Sequence, residues 1–189
     1  MANAVKINFD DVYDINMVSN EMTLASFETE LTDGSKKKLL VEISPNAHEL
    51  MPNVYNLAFG PSDTNGEIDD KAQIKHKDYS KVFSTILLHA QIYLTDHPDH
   101  YLGIDGSSNS RAWLYYRFIL SNFDYLSTYF EMRAMKYYVR ITRFGKYQYE
   151  NPFDFKDIKS DFVRITRDSP WHPEFMYNYF IFSNKDQLN

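Results

Sequence analysis

The chain has 189 residues, of which 43% are hydrophobic and 16% aromatic, and its formal net charge is −6. This length and composition fit one packed domain and exclude a largely disordered chain. No apolar run approaches the roughly 20 residues that span a bilayer, and the first residues lack the pattern of a secretory signal. Because the sequence contains no cysteine, disulfides and thiolate chemistry are excluded, and we expect a cytoplasmic protein with no membrane partner.

The first third of the chain has the pattern of β-strands. Residues 23–31 and 38–43 flank Asp33 and Gly34, whose turn chemistry predicts a hairpin. Residues 54–59 predict a further strand that ends at Gly60 and Pro61. Residues 60–77 are expected to form a long polar loop, a kind of segment that is often functional or mobile.

Two helices follow from the spacing of apolar side chains. The first covers residues 79–95 and ends before Pro98, with Thr85, His89 and Asp96 on its polar side. Its apolar stripe consists of Phe83, Ile86, Leu87, Ala90 and Leu94. The second covers residues 109–129, with a polar stripe of Ser110, Arg117, Ser121, Asp124 and Thr128 and a packed stripe of Leu114, Tyr115, Phe118, Tyr125 and Tyr129.

The remaining segments complete an α+β pattern. Residues 101–104, 132–142 and 175–182 read as strands, and residues 145–168 as loops with short elements. We therefore predict a single α+β domain over residues 1–182, with a mainly antiparallel sheet packed on two principal helices that lie on one side of it and touch. Residues 183–189 are expected to be a disordered tail.

Three short runs resemble a known family. They are VYNLAFG at residues 54–60, EIDD at 67–70 and GSSNSRAWLYYRF at 106–118. They are similar to an uncharacterised bacterial family, mainly from Bacteroidota, that is labelled a domain of unknown function. In the resemblance, which spans roughly residues 53–130, a turn-and-helix motif falls on Gly106, Ser107, Ser108, Ser110, Arg111, Leu114 and Tyr115. It implies the fold and a bacterial or phage source, and it supplies no reaction.

The same motif predicts an anion site. Arg111 follows Ser107, Ser108 and Ser110 at the start of a helix, where free amides and a guanidinium favour a phosphate or carboxylate. Tyr115 and Asn122 are included as further candidate ligand-binding residues. The alternative is structural: a serine caps the helix, and Arg111 pairs with Asp105 or with a carboxylate of the loop at residues 67–70.

A basic run predicts a second surface. Residues 133–149 hold five Lys and Arg and no acidic residue. Basic side chains among tyrosines are typical of sites for single-stranded nucleic acid, and we name Lys136, Tyr138, Arg140 and Arg143 as candidates. The alternative is a solvated sheet face whose charges pair with the carboxylates of this acidic chain.

Metal, cofactor and catalytic signatures are missing from the sequence. Aligning Gly66 with the glycine of a calcium loop puts Pro61 and Ala72 at ligand positions. The run DHPDH at residues 96–100 contains Pro98, which breaks the helix that would orient its side chains, and we interpret it as a helix stop. We predict no metal, no cofactor and no catalytic residue.

Together these features favour a small binding protein, whose partner is another protein, as for an antitoxin or an immunity protein, or single-stranded nucleic acid. The alternative is an enzyme or sensor for a phosphorylated or nucleotide ligand at Ser107, Ser108 and Arg111. A deep pocket near Arg111 would favour the alternative, and a flat charged or aromatic surface the binding protein.

Overall fold

The protein has an α+β fold built on one eight-stranded sheet. A computed structural model describes residues 5–17, 19–49, 51–69, 72–106, 109–141, 153–172, 177 and 179–185. The sheet order is β1-β2-β3-β4-β5-β8-β6-β7. Strands β4 and β5 run parallel, and the other neighbouring strands run antiparallel, which confirms the predicted mainly antiparallel sheet.

The elements follow one another along the chain with these bounds: β1 Asn16–Met17, β2 Leu24–Glu30, β3 Lys36–Ala47, β4 Val54–Gly60, α1 Tyr79–Asp96, β5 Tyr101–Asp105, α2 Asn109–Ser121, α3 Phe123–Leu126, β6 Phe130–Ile141, β7 Phe153–Arg164 and β8 Tyr179–Asn184. The predicted hairpin is β2–β3, whose turn contains Gly34 at φ 83°. Helix α1 connects the parallel strands β4 and β5, and the Asp78 side chain accepts a hydrogen bond from the Lys81 amide at its start.

Helices α1 and α2 pack on the same side of the sheet, as predicted. Leu87 of α1 and Ile119 of α2 surround one small internal space together with Phe180 of β8. The rings of Phe83 and Phe118 lie 5.1 Å apart, centroid to centroid, so the two helices touch. None of the helices that the structure describes is long and apolar enough to cross a membrane.

The second helix is interrupted, contrary to the prediction of one helix over residues 109–129. Helix α2 ends at Ser121, and the short α3 begins at Phe123. Between them, the Asn122 side chain bonds the Ile7 amide and the Val5 carbonyl, which lie far away in the sequence. It also donates to the Phe118 carbonyl over 2.9 Å, a bond of the kind that competes with regular helix. The predicted polar stripe is exposed, but Leu114, placed on the packed stripe, is 55% exposed.

Three further predictions were wrong. Residues 153–164, expected among loops, form β7, because the long pairing with β6 outweighs the weak strand propensity of its Asp, Lys and Ser residues. Thr85 and His89 are buried, because residues outside α1 cover its polar side. Strand β8 runs to Asn184 with Ser183 buried, so the structure continues past residue 182, where the tail was expected to begin.

Candidate functional site

The Gly106 turn brings helix α2 close to the end of β5. A β-carbon at Gly106 would lie 2.6 Å from the α-carbon of Ala112, too close for any other residue. Ser107 and Ser108 lie outside the described residues, and Ser110 is exposed. Part of the motif therefore serves helix packing, independently of any ligand.

Arg111 and Tyr115 line a shallow cavity under the loop at residues 60–77. The cavity has a volume of about 140 Å³ and also contains Asp69 and His76. The His76 ring lies 3.2 Å from the Thr29 hydroxyl, and burial lowers the pKa of this histidine. Because ligand pockets usually exceed about 300 Å³, this cavity is small for a nucleotide, and it already places a carboxylate near Arg111.

Asn122 is engaged in the fold rather than open to a ligand. Its Oδ1 accepts from the Ile7 amide over 2.9 Å, and its Nδ2 donates to the Val5 carbonyl over 3.0 Å. The residue is 7% exposed. Asn122 does not line the cavity at Arg111 and therefore does not belong to the anion site predicted there.

Two basic residues of β6 stand opposite carboxylates of β7. Arg143 and the side chains of Lys136, Tyr138 and Arg140 lie outside what the structure describes, but the backbone register is defined. Lys136 stands opposite Asp161, and Arg140 stands opposite Asp154. Since opposite charges at facing positions stabilise a sheet, this register agrees with the structural alternative for the basic run.

The sheet has a second face to which the described helices contribute no apolar packing. Phe130, Met132 and Ala134 of β6 point to the helices, so Glu131 and Arg133 point to the opposite face. The apolar cluster on that face consists of Met51, Val54, Met135, Tyr179 and Ile181, with Tyr101 packed against it.

A buried carboxylate between two arginines dominates the polar part of this face. Glu131 Oε1 lies 3.3 Å from Arg133 Nη2 and 3.3 Å from Arg164 Nε. The Glu131 side chain is 6% exposed, and its Oε2 has no hydrogen-bond partner among the described residues. An unpaired buried carboxylate oxygen costs free energy, so a donor that reached it would bind favourably.

Two hollows adjoin on this face and share Tyr101 and Arg133. The polar hollow has a volume of about 460 Å³ and is also lined by Asn53, Asp99, Glu131, Ser183 and Pro98. The apolar hollow has a volume of about 200 Å³ and is also lined by Met51, Pro52, Val54, Phe162 and Ile181. Among the described residues, the polar hollow has one buried hydroxyl, that of Ser183, and no histidine in its lining.

A cluster of aromatic and imidazole rings supports the rim of the polar hollow. The Tyr93 hydroxyl lies 2.8 Å from His100 Nδ1, and the Tyr55 ring lies 4.4 Å from the His100 ring. Burial raises the pKa of Tyr93 to about 12 and lowers the pKa of His100. The run DHPDH thus follows the end of α1 at Asp96, and the rings of His97 and His100 pack against Tyr93 there. No set of three or more His, Asp or Glu in the described part of the chain is arranged to hold a metal.

A family model matches residues 10–156, most of the chain. The chain belongs to the family of unknown function DUF6934. The predicted resemblance to a family of unknown function is thereby confirmed. The DUF6934 match includes Tyr101, Glu131 and Arg133 and ends before Phe162 and Arg164. No curated protein and no solved structure matches the chain.

The residues on the sheet face opposite the helices were missed by sequence reasoning. Tyr101, Glu131, Phe162 and Arg164 come from three different strands, and nothing local in the sequence brings them together. One signal was present: charged residues alternate with apolar ones from Phe130 to Ala134. Beginning the predicted strand at residue 132 excluded Glu131 from consideration.

Proposed function

We propose that this protein is a protein-binding module whose partner docks on the sheet face opposite the helices. One observation carries the proposal: Tyr101 and Arg133, both partly exposed, stand between a polar and an apolar hollow of about 460 and about 200 Å³. Phe162, at the edge of the apolar hollow, is 47% exposed. Tyr, Arg, Phe and Met are the residue types enriched where protein interfaces are energetically strongest.

The two hollows specify the chemistry of the partner. The apolar hollow suits a single aliphatic or aromatic side chain, which would bury surface of Phe162 and Tyr101, both of which are at least partly exposed. The polar hollow suits a hydrogen-bond donor, because Glu131 Oε2 has no partner among the described residues and Asp99 lines the same rim. The expected partner segment therefore carries an apolar residue next to a lysine, an arginine or an amide.

Other partner classes have less support. The carboxylates opposite Lys136 and Arg140 offset the charge that single-stranded nucleic acid would need. The Arg111 cavity of about 140 Å³ is small for a phosphorylated ligand. These comparisons favour a protein partner over the other two.

The test is selection of binding peptides from a random display library, followed by affinity measurement in solution. Phe162→Glu places a charge at the edge of the apolar hollow and is expected to weaken the selected peptides at least about tenfold. Leu114→Glu is the matched control, because Leu114 is similarly exposed, at 55% against 47% for Phe162, but lies on α2.

Two results would overturn the proposal. One is a set of peptides that bind the Phe162→Glu and Leu114→Glu variants equally well. The other is a selection that yields no peptide while a panel of oligonucleotides or nucleoside phosphates binds the wild-type chain.

A further inference from the structure

The segment at residues 5–13 lies across the helices, on the opposite side of the molecule from the sheet face that holds Glu131 and Tyr101. Four consecutive amides of this segment donate to side-chain oxygens of the helical layer. The pairs are Lys6 to Ser80 Oγ at 2.9 Å, Ile7 to Asn122 Oδ1 at 2.9 Å, Asn8 to Ser84 Oγ at 2.9 Å and Phe9 to the Tyr125 hydroxyl at 2.8 Å. The acceptors alternate between α1 on one side and the α2–α3 pair on the other.

These contacts depend on the backbone of the segment and not on its side chains. Asn122 adds a fifth hydrogen bond to the backbone of the segment, by donating from Nδ2 to the Val5 carbonyl over 3.0 Å. Backbone donors in a protein interior are usually satisfied by other backbone groups of a helix or a sheet. Here they are satisfied by hydroxyls and an amide side chain that line a groove, so another peptide backbone with the same conformation, including the turn that begins at Asn8, would satisfy the same acceptors.

Two side chains of the segment are anchors, and their neighbours face solvent. Ile7 is 6% exposed and belongs to the main core, whereas Lys6 and Asn8 are exposed. The Phe9 ring packs 4.7 Å from Tyr129 and 5.5 Å from Tyr125, centroid to centroid. The groove thus selects an aliphatic residue and an aromatic residue two positions apart.

We propose that the groove between α1 and α2–α3 is a peptide-binding site, that residues 5–9 occupy it as an intramolecular ligand, and that a segment of a partner protein with the same backbone conformation and the same two anchors replaces them. The four groove residues Ser80, Ser84, Asn122 and Tyr125 lie within the family match, whereas residues 5–9 lie before it. The family match therefore includes the site and not its present occupant.

The attached segment competes strongly with any free peptide. Because it is tethered, its effective concentration at the groove is on the order of millimolar. A segment of a partner protein must therefore bind tightly enough to displace residues 5–9 at this effective concentration, or it must meet a chain from whose groove residues 5–9 have been released. Weakening the two anchors in the full-length chain therefore opens the groove to measurement.

The experiment uses full-length protein and a labelled peptide with the sequence of residues 5–13, followed by fluorescence anisotropy. The Ile7→Ala and Phe9→Ala double variant is expected to bind the peptide at least about tenfold more tightly than wild type. The matched control is Lys6→Ala, because Lys6 is an exposed residue of the same segment, and it should behave as wild type. If the double variant lacks a cooperative thermal transition, Phe9→Ala alone, which keeps Ile7 in the core, replaces it.

A modified peptide tests whether the groove binds the peptide through hydrogen bonds to its backbone. Methylation of the Asn8 amide nitrogen removes the donor to Ser84 and should weaken binding about tenfold. The proposal is overturned if the folded variant does not bind the peptide or if methylation leaves the affinity unchanged. It is also overturned if Phe162→Glu abolishes binding, since that result would assign the peptide to the sheet face opposite the helices.

Discussion

His89 is a titratable residue in the interior of the helical layer. It is 1% exposed, and neither ring nitrogen has a hydrogen-bond partner among the described residues. Burial lowers the pKa of its imidazole. The backbone of Met22 lies near the ring and opposes this shift in part, although the contact between them does not have the geometry of a hydrogen bond. The folded protein therefore holds His89 neutral at the cost of an unpaired polar ring.

We expect this histidine to make stability fall in acid. Because its pKa is lower in the folded state, the unfolded chain binds more protons once the pH drops below about 6.5, and the free energy of unfolding decreases from there. Replacing His89 with Leu should reduce the difference in stability between about pH 7.5 and about pH 5, measured by urea unfolding.

The control for this prediction is Ile86→Val, a buried change nearby that does not titrate and should shift stability equally at both values. Burial also lowers the pKa of His76 and of His100, so some acid sensitivity should persist in the His89→Leu variant. An unchanged pH dependence in that variant would contradict the prediction.

Helical periodicity predicted the apolar stripe of α1 but misplaced His89. The period identifies the face with the larger apolar side chains, and Ile86, Leu87 and Leu94 are buried as expected. It does not reveal that distant segments cover the other face, where Ser84 and Thr85 accept hydrogen bonds from the Asn8 and Tyr13 amides. Side-chain hydroxyls that bind a distant backbone look the same in a sequence as hydroxyls in water.

Strands β6 and β7 form a two-stranded ribbon that extends beyond the rest of the sheet. Strand β8 pairs with β6 only from Phe130 to Met135, whereas β7 pairs with it as far as Ile141. The part beyond Met135 has β7 as its sole strand partner in the described chain. Its register places acidic residues of β7 opposite Lys136 and Arg140.

We expect this ribbon not to bind single-stranded nucleic acid. The facing carboxylates reduce the net positive charge, and little counterion release is then available to drive binding. An anisotropy titration with a labelled oligonucleotide at about 50 mM salt should show no saturable binding. Binding that weakens steeply towards about 200 mM salt and disappears in a Lys136→Ala, Arg140→Ala double variant would contradict this expectation.

At the scale of elements, the sequence predicted most strands and both main helices, and the failures have a common cause. Strand β7 was missed because it is held by its long pairing with β6, and charged residues in its sequence suggested loops. The helix break at Asn122 was missed because the bonds from that residue to Val5 and Ile7 join parts of the chain that are remote in sequence. Local patterns identify elements that local forces stabilise.

The whole sheet depends on β8. This strand lies between β5 and β6, pairs with both, and contributes Phe180 and Phe182 to the main core at 1% and 2% exposure. A chain that stops after residue 172 is therefore expected to lose cooperative unfolding, since it leaves two strands without their common neighbour. Thermal unfolding followed by circular dichroism tests this expectation.

A chain that stops after Lys185 keeps β8 and serves as the control. It should unfold in a single cooperative transition close to that of the full chain. If the shorter chain also unfolds cooperatively, the two halves of the sheet are stable separately, and β8 only joins them.

The position of β8 also affects how the protein folds as it leaves the ribosome. Tyr101–Asp105 emerge long before Tyr179–Asn184, and at the usual rate of synthesis β5 waits on the order of ten seconds for its neighbour. During that time the nascent chain presents an unpaired strand edge and the apolar faces of both helices. Closure of the sheet requires a contact between remote parts of the chain, and non-local pairing of this kind forms slowly and leaves strand edges open to aggregation in the meantime.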